Sequence, residues 1–507
     1  MNAVSQEGGV PRRGPRRGGR SENRLLFSSS TALIVGRLAT AVFGWAGSVI
    51  IARTLTGDDW GRYSFVFALL GLMAVVTDLG VGRVVLSRLA SGNPAEASEI
   101  AGSFISLRTL LGGIGYFVAL GYAYFSGLSP LVMAAAALAG TTIVLATPAN
   151  ALFVLYQSKL RLTYVAVWDI IGQIVQFGVI LAVAVVHPTV LAFIVPAIVR
   201  EIIVFTARAV GLAQLFPPGA RPSFRVPTGH WGEMLREALP ISVGLALLTF
   251  ASRVDMLMLQ KIDTYEAVGL YAIGYKFSDL LALVVGALAV PFTTVLIKSW
   301  PDKPADFRER LFQALAVAAI LGGLAVVIFW PSSRALITFL YGPQFAGAAT
   351  AAALLVAGSA LSGLTFVVIS ALIAAKKLRV FPWLASVGLL LNVGLNLLLI
   401  PRWSIDGAAV ATVLTQLVML LVMLLLIQMS LGIPGISPWG LLIRQSLIAG
   451  AVVTPATLLV LETDAPWILV AVVSAMVHLL VSALAEGRES TAIIGHARSY
   501  LGRRSAA

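Results

Sequence analysis

"RTLTGDDWGRYSF", residues 53–65, interrupts a very apolar chain with charge, and "KIDTYEAVGLYAI", residues 261–273, repeats its outline. Arg53 matches Lys261, Thr56 matches Thr264, Asp58 matches Glu266, and Gly61 and Tyr63 return as Gly269 and Tyr271. Both glycines stand where the chain enters an apolar stretch, and they are read as turn residues whose backbone angles are closed to other side chains. One polar outline met twice predicts a duplicated architecture.

The surroundings decide which architecture. The chain has 507 residues, which in a soluble protein would suggest about three domains. It is, however, 58% hydrophobic and 12% charged, with a mean hydropathy of +0.92, the composition of a membrane protein. Apolar stretches long enough to cross about 30 Å of hydrocarbon recur throughout. Hydropathy and turn signals predict fourteen spans, at 28–52, 63–82, 103–126, 131–156, 163–186, 191–212, 239–260, 268–292, 312–331, 347–371, 380–400, 407–430, 441–461 and 466–486. The fold class expected is an all-α polytopic membrane protein.

Charge supports an even count. With the N-terminus inside, most of the 36 Lys and Arg fall on the cytoplasmic side, in the tail, at Arg83, Arg88, Arg108, Lys159 and Arg161, and in the later inner loops. The opposite loops hold only Arg53, Arg62, Lys261, Arg334 and Arg402. Dropping one span would invert every later loop and destroy that asymmetry, so both termini are expected in the cytoplasm. The net charge of +13 is read in the same way, as orientation and contact with anionic lipid rather than nucleic-acid binding. Residues 1–27 read as a disordered basic tail without the apolar core of a secretory signal.

A second match fixes the relation between the copies. "KLR" at 159–161 joins spans 4 and 5, and "KLR" at 377–379 joins spans 10 and 11. The expected organisation is therefore six helices over 28–212, a cytoplasmic linker over 213–238, six helices over 239–430, two more helices over 431–486, and a cytoplasmic tail over 487–507. Six is even, so the halves are parallel repeats around a central cavity.

Ionisable residues inside spans carry the strongest site signal, because burying a charge in a membrane is costly and such groups usually face a cavity or a partner. They are Arg37, Arg200, Glu201, Arg253, Asp255, Lys276 and Asp279. Arg37, Arg200, Arg253 and Lys276 are candidates for binding an anionic substrate; Glu201, Asp255 and Asp279 are candidates for coupling or for structural ion pairs. The similar depth of Asp255 and Lys276 on consecutive spans predicts a pair between them. Asn392 and Asn396, one turn apart, either bond between helices or face sugar. Asp78 and Asp169 are expected to pair with Arg83 and Arg161. Pro148 and Pro196 are expected to kink spans 4 and 6, and Asp406 to cap the N-terminus of span 12.

Other chemistries find no support in the sequence. There is no cysteine, the four His show no metal-ligand spacing, and no phosphate-binding Gly-x-x-x-x-Gly-Lys-Ser/Thr occurs, so no cofactor is expected and the reading is not an enzyme.

"ARTLTGDDWGRYSF", "DLGVGR" (78–83), "EALPISV" (237–243), "RVDMLMLQKIDTYEAVGLYAIGYKFSD" (253–279), "LYGPQF" (340–345) and "AAKKLR" followed by "LNVGLNLLLIPRWSIDGAAVATVLTQ" (391–416) together resemble the bacterial polysaccharide flippases of the multidrug/oligosaccharidyl-lipid/polysaccharide superfamily. The resemblance covers about residues 28–430. It implies a V-shaped, fourteen-helix transporter of the bacterial cytoplasmic membrane. Its cargo would be an undecaprenyl-diphosphate-linked oligosaccharide, carried by alternating access from the cytoplasmic to the outer leaflet. Membrane lipids and polysaccharide-assembly proteins are the further partners implied. The alternatives are a lipid II flippase and a multidrug/cation antiporter of the same superfamily, although an antiporter would want an acid in span 1 where Arg37 stands. A membrane glycan polymerase or ligase is more remote, since every outer loop is short.

Overall fold

A computed structural model describes residues 19–91, 94–216, 222, 229–251, 253–377, 381–433, 438–463 and 465–486. Most of the N-terminal tail, most of the linker core, Arg379 and the C-terminal tail lie outside the described residues. Within them the chain is all helical. Its α-helices are α1 Gly19–Thr54, α2 Gly57–Asp78, α3 Val81–Ser91, α4 Pro94–Phe125, α5 Pro130–Ser158, α6 Leu162–Val186, α7 Val195–Leu215, α8 Trp231–Ala251, α9 Val254–Ile262, α10 Tyr265–Ser299, α11 Pro304–Tyr341, α12 Ala349–Ala374, α13 Phe381–Leu431, α14 Trp439–Glu462 and α15 Trp467–Glu486. Among the described residues, nine helices are long and apolar enough to cross a membrane. The protein is a multi-pass membrane protein.

Helix α13 contains more than one crossing. Its 51 residues would extend about 77 Å if straight, more than twice the hydrocarbon thickness. The chain instead reverses at Ser404, whose angles (φ 49°, ψ −127°) are not helical. The contacts nest around that point: a Cβ on Gly407 would meet the Leu399 carbonyl, Asn392 bonds Thr415, and Gly388 lies against Met419. The expected spans 380–400 and 407–430 are the two arms of this hairpin.

Three sequence expectations are corrected here. Span 239–260 is broken, with α8 ending at Ala251, α9 starting at Val254, and Arg253 between them at φ −141°. The backbone groups freed by the break find local partners, Arg253 N–H donating to Phe250 O and Met256 N–H to Arg253 O, as an apolar surrounding requires. Pro196 does not kink a helix; it occupies the first turn of α7, where its missing N–H has no intrahelical acceptor to lose. Asp406 has its carboxylate turned to the backbone N–H of Ala351, in the first turn of α12, the start of a neighbouring helix.

The helices pack in two groups. In one, α1 lies on α6, α4 on α5, α7 on α5 and α6, and α2 against α4 and α5. Gly36 and Gly47 open the α1 surface to Ala166 and Ile180 of α6. In the other group, α12 sits among α10, α11 and α13. Helices α14 and α15 pack on α11 and on each other, with Ser482 donating to Gln445 and His478 Nε2 lying 3.2 Å from the Ile320 carbonyl.

The repeated outline of the sequence joins the groups. Thr56 accepts from Asp59 N–H and Thr264 from Ala267 N–H, so each threonine caps its helix, α2 or α10, in the same way. These helix starts meet: a Cβ on Gly61 would lie 1.6 Å from the Tyr265 carbonyl oxygen, and one on Gly269 2.8 Å from that of Gly57. Neither glycine has a positive φ, so the reason for glycine is close approach rather than turn geometry. Trp60 Nε1–H donates across the contact to Gly269 O at 3.0 Å. The matched cations exchange partners. Arg53 at the end of α1 donates to the carbonyls of Leu340 and Phe339 at the end of α11, while Lys261 at the end of α9 donates to Ser126 O just past α4. Each half thus places a cation on orphan carbonyls at a helix end of the other.

Candidate functional site

Beneath this seal, α1, α2, α6, α9 and α10 enclose a cavity of about 350 Å³. Its α1 wall is the stripe Gly44, Ser48 and Ile51; its α10 wall carries Tyr275, Lys276 and Asp279; Gln176 enters from α6 and Arg253 from the break before α9. The helix break is what brings Arg253 to the cavity. Its guanidinium lies 4.4 Å from the Tyr275 ring centroid and bonds both carboxylate oxygens of Asp279 at 2.8–2.9 Å. Arg253 is therefore held and neutralised. Lys276 is not: among the described residues its ammonium has no hydrogen-bond or ion-pair partner. Two cations and one carboxylate leave the wall with a net positive charge.

The expected Asp255–Lys276 pair does not form. Asp255 is fully buried and accepts from the hydroxyls of Tyr271 (2.7 Å) and Tyr275 (2.5 Å) and from Met256 N–H (2.8 Å), with Thr412 at 3.4 Å. Donors converging from α10 and α13 satisfy this carboxylate without a cation on it. The sequence reading missed Tyr271 and Tyr275, although their spacing of four residues, continued four further on by Asp279, marks one face of α10.

The remaining candidates are dispersed. Arg37 is exposed and lies one heptad before Gly44, on the stripe of α1 that continues into the cavity wall. Arg200 pairs with its neighbour Glu201 on α7, away from Lys276. Asn396 donates to Asn392 at 2.9 Å, and Asn392 reaches Thr415 in the second arm of α13 at 3.5 Å. Both asparagines are buried; Asn392 also lines a smaller cavity of about 220 Å³, which shares Arg253, Tyr275 and Asp279 with the first.

A third cavity, of about 560 Å³, adjoins the first through Phe67 and Gly71 and runs toward the end of α2. Asp78, Arg108 and Glu201 are on its walls. Asp78 pairs with Arg108 at 2.7 Å rather than with Arg83, and Asp169 with Arg208 at 2.7 Å rather than with Arg161. Arg108 and Arg208, counted with the cytoplasmic charges at the ends of their expected spans, are buried within α4 and α7. Beyond this cavity Arg88 of α3 bridges Glu233 (3.0 Å) and Glu237 (2.5 Å) of α8, closing the groups on each other at the end opposite Trp60.

Residues 26–297 match the polysaccharide biosynthesis protein family, and the chain belongs to that family. Its fold is similar to that of the lipid II flippase MurJ in an inward closed conformation, with TM-score 0.72 and 14% identity over 89% of this chain and 98% of that one. It is also similar to the MATE multidrug transporter DinF-BH, with TM-score 0.60 and 15% identity over 83% of this chain and 98% of that one. A superfamily transporter from Pyrococcus furiosus, whose structure was described for the reverse polarity of its binding pocket, aligns with TM-score 0.57 and 13% identity over 85% and 96% of the two chains. No curated protein matches the chain in sequence.

Proposed function

We propose that the protein flips an undecaprenyl-diphosphate-linked oligosaccharide from the cytoplasmic to the outer leaflet of a bacterial cytoplasmic membrane, for polysaccharide biosynthesis. The observation that carries this reading is the ammonium of Lys276, without a hydrogen-bond or ion-pair partner among the described residues, beside Arg253 in a cavity between the two helix groups. A diphosphate supplies the charge that this wall lacks, and charge-assisted hydrogen bonds to it are the strong kind. Arg37, exposed on the same α1 stripe, would meet the anion first from the Arg88 end; Arg200, already paired, is a weaker candidate. Family membership supports the polysaccharide context.

The molecule would work as two six-helix lobes with α14 and α15 appended, making fourteen spans with both termini in the cytoplasm. Each unpaired sugar hydroxyl moved into hydrocarbon costs about 2–7 kcal/mol, so the glycan needs the polar cavities while its polyprenyl tail stays in lipid. The lobes would rock between a state closed at the Trp60 end and one closed at the Arg88 end. Glu201 and Asp279 balance arginines in this scheme, and Asp255, held by hydroxyls, is the acid available for coupling to a cation or proton.

The test is a leaflet assay on purified protein in liposomes, with undecaprenyl-diphosphate-linked oligosaccharide, lipid II and a cationic dye as separate cargoes. Wild type should move the lipid-linked oligosaccharide, and Lys276→Gln should slow it at least about tenfold, a loss of one charge-assisted contact. Preferential movement of lipid II would establish that alternative, dye export the antiporter, and no movement of any lipid would end the flippase reading.

A further inference from the structure

The third cavity has a chemistry different from that of the cationic one it adjoins. At its far end α2 stops at Asp78 and the chain turns through Leu79 and Gly80, both at positive φ, before α3 begins. That turn leaves the Asp78 side chain 65% exposed while its partner Arg108 is 4% exposed. Arg108 spends its bonds on Asp78 Oδ1 and on the Thr77 carbonyl, so the cation is withdrawn into the wall and Oδ2, with no described partner, faces the space. The opposite wall adds Asn150, exposed and without a described hydrogen bond, and Thr142, whose hydroxyl proton is committed to the Ala139 carbonyl. Glu201 lies on the same lining with its arginine beside it. The surface on offer is thus rich in acceptors, and its positive charge is buried. Phe67, shared with the cationic cavity, supplies an aromatic face at the junction.

From Phe67 to Asp78 is eleven residues of one helix, about 16 Å along its axis. Resting on the flippase reading above, we propose that this cavity is the carbohydrate subsite: the diphosphate sits at Lys276 and the glycan extends toward Asp78. There Oδ2 of Asp78 and the amide of Asn150 receive the hydroxyls of a neutral sugar, or the ammonium of an amino sugar, and reject a uronic acid. A sugar hydroxyl donates to a carboxylate at full strength, whereas a second carboxylate at that place has no cation to meet and repels Asp78. The exposed Asp78 carboxylate therefore selects against acidic headgroups although the lipid that carries them is itself anionic.

The experiment measures binding to the full-length protein in nanodiscs of three probes: undecaprenyl diphosphate, the same lipid bearing a neutral disaccharide, and the same lipid bearing that disaccharide with its terminal sugar as a uronate. Wild type should bind the neutral glycolipid about tenfold more tightly than the bare lipid and the uronate no better than the bare lipid, a difference of one good polar contact. Asp78→Asn should raise uronate binding toward that of the neutral glycolipid. Should that variant fail to fold with Arg108 left alone, Asn150→Leu, which touches no buried ion pair, should bring the neutral glycolipid down toward bare lipid. Bare lipid binding as well as either glycolipid, or equal binding of neutral and acidic forms, would overturn the subsite and leave the flippase reading standing. Failure to bind any of the three lipids would overturn both.

Discussion

Gly61 and Gly269 face each other where α2 meets α10, and their contact is reciprocal. The first presses on the carbonyl of Tyr265, the second on that of Gly57, its counterpart one repeat earlier. Residue i touching j while the partner copy of j touches the partner copy of i is the signature of an isologous, two-fold interface. Arg53 and Lys261 obey the same rule from further out. The polar outline repeats because each copy is half of one seal.

Gly61→Ala should therefore pry the seal open, since its new methyl would overlap the Tyr265 carbonyl. Gly57→Cys with Glu266→Cys reports this well, because Gly57 lies against Glu266 and the chain has no other cysteine. The pair should cross-link readily in an otherwise wild-type background and several-fold more slowly with Gly61→Ala. An unchanged rate would mean that the helices do not close as tightly as their glycines allow.

Asp255→Asn should be tolerated and Asp255→Ala should not. The amide keeps an acceptor for the Tyr271 and Tyr275 hydroxyls and removes a buried charge, whereas alanine strands both donors. Each stranded group is worth about 1–3 kcal/mol. Thermal unfolding of the detergent-purified variants should show a clear drop for alanine alone; equal drops would point to a buried counter-charge.

Arg37→Ala should fold and insert normally, because an exposed cation with no acid one turn away at Leu33, Ile34, Thr40 or Ala41 has no local pair to lose. Surface glycan should fall and lipid-linked intermediates should accumulate inside the cell. Arg37→Lys should retain part of the activity, keeping charge without the forked geometry. Degraded protein, or normal export, would remove Arg37 from the anion path.

At the opposite end, hydrogen bonding to Arg88 holds the Glu233 carboxyl below its ordinary value of 4.5. A depressed carboxyl contributes stability above its unfolded value and loses it as pH falls through the folded one. Spin labels on α3 and α8 should thus keep their separation from pH 8 to 5.5 and part only below the ordinary glutamate range. Both glutamates are exposed, so added salt should weaken the contact at any pH. Parting already between pH 8 and 5.5 would mean that the Arg88 bridge does not hold the two helices together.

The all-helical fold and the matched helix starts were readable because they are local patterns: hydropathy marks helices, and the threonine caps and glycines recur in register. Partner identities were not. Asp255 and Lys276 share a depth, but whether they touch depends on how each helix is rotated, and α10 turns Tyr271 and Tyr275 toward Asp255 while Lys276 faces the cavity. Arg108 falls inside the span expected at 103–126 but close to its cytoplasmic end, so it counts with the inner charges; α4 begins at Pro94, which sets it about four turns into the helix. The glycines were recognised for the wrong reason, since close approach between distant segments leaves no mark on the sequence that a turn would not also leave.

Helices α14 and α15 pack on α11 and on each other, to one side of the Gly61–Gly269 contact, and Trp467 of α15 lies against Phe339 beside the Arg53 bond. The outline of the molecule is consequently lopsided, although the contacts of the seal are reciprocal. A neighbouring protein that gripped this extra flank would hold one side of the machine still and leave the other side to do the moving.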